Sequence, residues 1–163
     1  MKRSVVALYI AALVFPSLGA AQRIAVDIGP GIHNTDGADA LFLRYADDMR
    51  QLILPGQSFY EWSFGVWDGN ARNNGVGFAL GTRGSSDKFH VEGSVGVAYV
   101  EDKTQLSGTH QQFSARLGVG VEYRRLEVGL FVTHYSNAKG LFGWDGPNAG
   151  YDFVTLQIGY PLR

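Results

Sequence analysis

The chain is organised by a period of two. Leu126, Val128, Leu130, Val132, His134 and Ser136 alternate with Arg125, Glu127, Gly129, Phe131, Thr133 and Tyr135. Alternate residues of a β-strand share a face, so the first set forms one row and the second the opposite row. The first row is apolar until its last two positions, which are a base and a hydroxyl. The second row is the more polar and carries two charges.

Seven further segments show the same alternation between turn residues, at about 23–31, 39–46, 58–68, 74–83, 88–101, 109–123 and 152–161. In each, one face is apolar. Examples are Ile24, Val26 and Ile28, or Tyr60, Trp62, Phe64 and Val66. The other face mixes Gly, Ser and Ala with Asp27, Arg44, Glu61, Glu92, Arg116, Glu122 and Glu127. Pro161 has no N–H for a ladder bond, which ends the eighth strand near Tyr160.

Two folds show this pattern. A soluble lipocalin-like barrel or sandwich turns the apolar face inward, whereas a membrane barrel turns it outward. The strand count is even, as bacterial single-chain barrels require. The polar face is poor in Lys and rich in small residues and charges of both signs, which suits a narrow lumen where opposite charges pair. Tyr45, Tyr60, Trp62, Tyr99, Tyr123 and Tyr160 lie near the ends of apolar stretches, as aromatic girdles do. The expected fold is all-β, an eight-stranded antiparallel up-and-down transmembrane β-barrel. A closed barrel leaves no unpaired sheet edge in hydrocarbon, where such an edge is not viable.

The first residues agree with that compartment. Lys2 and Arg3 precede the apolar run Val5–Phe15, then Pro16 and the small residues Gly19, Ala20 and Ala21. This is a secretory signal pattern, and the apolar run is shorter than the roughly 20 residues of a spanning helix. Residues 1–21 are expected to be removed, leaving 22–163 as one barrel domain in the outer membrane of a Gram-negative cell. Their removal makes the net charge more negative than the −1 of the whole chain. No basic stripe remains for nucleic acid. The chain has no Cys, which excludes disulfides and thiolate metal sites.

The chemistry lies at the end of the seventh strand. With both termini at the periplasmic side, His134 and Ser136 fall near the outer leaflet, and the hairpin returns Asp152 on the same outward face. A Ser hydroxyl needs a base to take its proton, and His titrates near neutrality. A carboxylate on the other ring nitrogen fixes the tautomer. An N–H from Asn137 or from the glycine-containing loop would receive the oxyanion. Asp145, in mid-loop, is the reserve acid.

His134-Tyr135-Ser136-Asn137-Ala138, followed by a Pro/Asn/Gly loop and an acid before the last strand, resembles the lipid A 3-O-deacylase family. The likeness in motif covers about residues 133–160. It implies an outer-membrane esterase that removes the 3-O-linked acyl chain of lipid A, with Ser136 as nucleophile, His134 as base and Asn137 contributing to the oxyanion site. Asp152 stands where the family often has Glu. The partners implied are lipid A or lipopolysaccharide and the surrounding membrane lipids, with no cofactor and no metal; a homodimer is left open. The alternatives are a structural or adhesive barrel without activity and a phospholipase of similar design.

The other motifs are assigned no chemistry. His33, His90, His110 and His134 lack ligand spacing. His90 is expected in the lumen beside Glu92, and His33 and His110 at strand ends or loops. Asn34-Thr35-Asp36-Gly37 and Asp68-Gly69-Asn70 are turn sequences, and 49–54 is expected to turn at the periplasmic interface.

Overall fold

A computed structural model describes residues 22–50, 55–139 and 146–162. The expected signal sequence at 1–21, most of the expected 49–54 turn and the reserve acid Asp145 lie outside the described residues. Eight strands follow one another in the chain: β1 (Gln22–Ile32), β2 (Asp39–Asp48), β3 (Gln57–Trp67), β4 (Asn73–Ser86), β5 (Phe89–Val100), β6 (Gln111–Tyr123), β7 (Leu126–Ser136) and β8 (Tyr151–Pro161). Each pairs antiparallel with the next, and β8 pairs with β1, so the sheet is a closed barrel.

Burial follows the period of two. In β7, Glu127, Gly129, Phe131, Thr133 and Tyr135 are buried, whereas Leu126, Val128, Leu130, Val132 and His134 are exposed. Leu117 and Val95 on the outer face stay 63% and 67% exposed. An apolar outer surface with charge inside is the inverse of a soluble domain, and it excludes the soluble alternative.

The lower part of the lumen holds the expected charges as pairs. Arg44 donates to Asp27 at 2.6 Å and to Glu61 at 2.7 Å. Arg116 donates to Glu92 at 2.8 Å and lies over the Phe131 ring, 3.5 Å from its centroid. Arg83 grips Glu127 with two N–H donors at 2.9 and 2.8 Å and contacts His90, which is buried in the lumen. Toward the other end the interior is apolar: Phe42, Trp67, Val100, Tyr135, Tyr151 and Phe153 form one packed cluster. The ends of β7 and β8 stand on this plug, which gives their outward side chains a rigid base.

Several boundaries shift by one to three residues from the sequence reading, and two of them have a visible cause. β4 continues to Ser86 because Arg83 turns inward to Glu127 and Ser85 pairs with His90. The turn is confined to Asp87 and Lys88, with Asp87 at φ 50°. β8 includes Pro161, which sits opposite Arg23 at the strand's last position, where the missing donor costs nothing.

Candidate active site

The β7–β8 hairpin sets the geometry. Its register places His134 directly opposite Asp152. Both project to the outer face, and His134 Nδ1 lies 2.7 Å from Asp152 Oδ1. An ionised carboxylate only accepts, so Nδ1 carries the proton and Nε2 keeps its lone pair. That is the tautomer a general base toward serine requires.

Ser136 is two residues beyond His134 on the same face, half-buried at the end of β7. No hydrogen bond joins its hydroxyl to His134 in the described structure. Strand residues i and i+2 are about 6.6–6.8 Å apart at Cα, within reach of two side chains that lean together. Apo catalytic contacts commonly tighten only when substrate binds.

Asn137 is placed differently from the other three. It is buried, and its donors are in use. Its backbone N–H donates to Asn148 Oδ1 at 2.9 Å. Its Nδ2 donates to the carbonyls of Ser107 at 2.9 Å and Pro147 at 3.1 Å. At rest, therefore, Asn137 fastens the β7–β8 connection to the loop between β5 and β6.

Beside Ser136 the outer wall is hollowed. Trp62, Phe78, Val97, Tyr99 and Phe113 line an open apolar groove of about 410 Å³. Phe113 is the residue opposite Ser136 in the β6–β7 ladder, so the groove reaches the serine's immediate neighbour. His110 stacks on Tyr99, with ring centroids 5.2 Å apart, which places it away from His134 in the β5–β6 connection.

The lipid A 3-O-deacylase (PagL) family model matches residues 49–161, more than two thirds of the sequence. The chain belongs to the lipid A 3-O-deacylase family. It is thereby an outer-membrane lipid A deacylase, and the structural or adhesive alternative is set aside. Among solved structures, one described as the outer membrane enzyme PagL aligns with TM-score 0.66 at 21% identity, covering 86% of this chain and 99% of that one. A de novo designed transmembrane β-barrel aligns at 0.55 and 15% identity, covering 91% of this chain and 100% of that one. The N-terminal β-barrel domain of Pseudomonas aeruginosa OprF aligns at 0.55 and 13% identity, covering 87% and 97%. At these identities the likeness speaks for the fold. No curated protein matches the sequence.

One neighbour of the site was not read from the sequence as part of it. His33 Nδ1 stands 3.5 Å from Asp152 Oδ2, on the side away from His134. His33 belongs to the turn after β1, more than a hundred positions earlier in the chain. No local motif marks it; only closure of β1 onto β8 brings it there.

Proposed function

We propose that the protein hydrolyses the 3-O-linked acyl ester of lipid A in the outer leaflet through Ser136, His134 and Asp152. The observation that carries this reading is the 2.7 Å contact between His134 Nδ1 and Asp152 Oδ1 on the lipid-facing side, with Ser136 next on the same row. A buried charged pair would serve the fold; this pair is open on the outer face, where a substrate arriving from the membrane can meet it.

Ser136 Oγ attacks the ester carbonyl while His134 Nε2 takes its proton. The imidazolium is stabilised by Asp152 and passes that proton to the departing sugar oxygen, leaving an acyl-enzyme. Water then attacks the acyl carbon with His134 again as base. Ser136 is regenerated and a 3-hydroxy fatty acid is released. Asn137, adjacent to the nucleophile, contributes to the oxyanion site when its N–H exchanges Asn148 for the substrate oxygen. The groove that begins at Phe113 supplies an apolar wall for an acyl chain, so no enclosed pocket is needed. Residues 1–21 direct the chain to secretion in the same reading.

Mass spectrometry of lipid A incubated with folded protein tests it. Loss of one 3-hydroxyacyl chain with the wild type and none with Ser136→Ala supports the assignment. Removal of a chain from another position, or of fatty acids from phospholipid instead, overturns the regiochemistry.

A further inference from the structure

The turn between β1 and β2 makes three successive contacts with the start of β8. His33, Asn34 and Thr35 form a single 3-10 turn. Asn34 Nδ2 donates to the carbonyl of Ala149 at 2.7 Å. Thr35, fully buried, places its hydroxyl on the backbone of Asp152 itself. Its Oγ1 lies 2.5 Å from the Asp152 carbonyl oxygen and 2.8 Å from that of Ile32, with one proton to share between them, and it accepts the Asp152 N–H at 3.3 Å. His33 reaches Oδ2 of the same residue, while Oδ1 is taken by His134.

Two local features make this arrangement expensive to form by accident. His33 has φ 57°, a left-handed conformation that a non-glycine residue adopts only at some cost. The turn also folds down onto Gly31, where a Cβ would lie 2.2 Å from the Thr35 carbonyl oxygen. The turn precedes residues 49–161, so it lies outside the segment that defines the family match.

We propose that Thr35 and His33 are positioning residues for the deacylase: Thr35 fixes the backbone of Asp152 and His33 fixes the rotation of its carboxylate, so that Oδ1 is held on His134. This rests on Asp152 being the acid of the site. Both act through Asp152 rather than on the reacting atoms. Thr35 holds both polar groups of one peptide residue at the mouth of the last strand, where a frayed end would swing the carboxylate away. His33 stands at ion-pair distance, 3.5 Å, from the second carboxylate oxygen, which otherwise would be free to exchange with the first. A catalytic group displaced by about 1 Å can cost up to roughly a hundredfold in rate, which makes such bracing worth its strain.

The test compares lipid A deacylation by wild type, Thr35→Val, Thr35→Ser, His33→Ala and His33→Asn, with Asp152→Asn as reference, all in folded form. Thr35→Val keeps the shape and removes the hydroxyl; kcat should fall by roughly ten- to a hundredfold with KM unchanged. Thr35→Ser returns the hydroxyl and should restore kcat. His33→Ala should lower kcat by a smaller factor, and His33→Asn, whose amide can stand in for Nδ1 and tolerates the left-handed backbone, should restore it. A purely structural role would lower the yield of folded protein without this split between kcat and KM. Wild-type kcat in Thr35→Val beside an inactive Asp152→Asn would overturn the proposal while leaving the acid assignment standing. Full activity in Asp152→Asn would remove the acid assignment, and the clamp with it. Should Thr35→Val not fold, the exposed His33 decides alone: unchanged kcat in His33→Ala overturns the bracing.

Discussion

His134 and Asp152 sit directly opposite each other in the β7–β8 ladder, and the imidazole meets the carboxylate at 2.7 Å outside the barrel. The contact is a consequence of register. A shift of the hairpin by one residue would send both side chains into the lumen. The Asp152 carboxylate selects the Nδ1–H tautomer, so the effect of removing its charge follows directly. In Asp152→Asn the amide can donate to Nδ1, which turns the ring proton to Nε2 and points it at Ser136. The barrel should fold as before, and kcat should fall by on the order of 10³–10⁴. Turnover of lipid A by the variant checks this; wild-type activity would remove Asp152 from the mechanism.

Ser136 and His134 should act as one unit. Ser136→Ala removes the nucleophile, and His134→Ala removes the base that makes it one. Each alone should reduce turnover to near background. The double variant should be no more than about threefold worse than the poorer single, because members of a triad are grossly non-additive. Additive losses in the measured rates would mean that the two residues contribute to separate steps.

Asn137 should show a stability cost that the other site residues lack. Its side chain donates to two backbone carbonyls from different loops. Asn137→Ala takes that donor from Pro147 O, at about 1–3 kcal/mol for an acceptor left unpaired, while Ser107 O keeps the Thr109 N–H at 2.7 Å and Gln112 Nε2 at 3.2 Å. A lower urea midpoint, together with reduced activity, is the expected pair of results. Lost activity at an unchanged midpoint would make the oxyanion its main task and the loop contacts incidental.

Much of this was legible because a barrel wall has only two sides. Once Ile24, Val26 and Ile28 are assigned to lipid, Asp27 must be in the lumen, and the period of two carries the assignment through all eight strands. His134 and Asp152 could be brought together because they are joined by a hairpin. The His33–Asp152 contact could not, since it depends on β1 closing against β8 rather than on any neighbouring sequence. The place of Asn137 beside Ser136 is legible, but its burial is not. That follows from where the β5–β6 loop rests, and nothing in the sequence near Ser107 announces it. The end of β4 reads short for a similar reason: the alternation fades after Arg83, within Gly84-Ser85-Ser86, and only pairing with Val91, His90 and Phe89 carries the strand on.

The lumen network gives the last prediction, because it separates holding the barrel from running the site. Glu92 is almost fully buried and accepts from Arg23 at 2.6 Å and Arg116 at 2.8 Å. Glu92→Ala would leave two guanidinium groups inside a low-dielectric interior with less negative charge to meet them. Removing one partner of a buried ion pair costs about 3–5 kcal/mol, more than the pair itself contributes over an apolar replacement. The site lies beyond the aromatic plug of Phe42, Trp67, Tyr135 and Phe153, which does not depend on Glu92 for its packing. The variant should therefore unfold at markedly lower urea, while the fraction that folds deacylates lipid A at the wild-type rate. A Glu92→Ala barrel as stable as wild type would show that the remaining carboxylates, Glu61 and Glu127 among them, neutralise the arginines unaided. A stable barrel with altered kcat would instead tie the lumen charges to the outer face, through the strand that carries both Glu127 and His134.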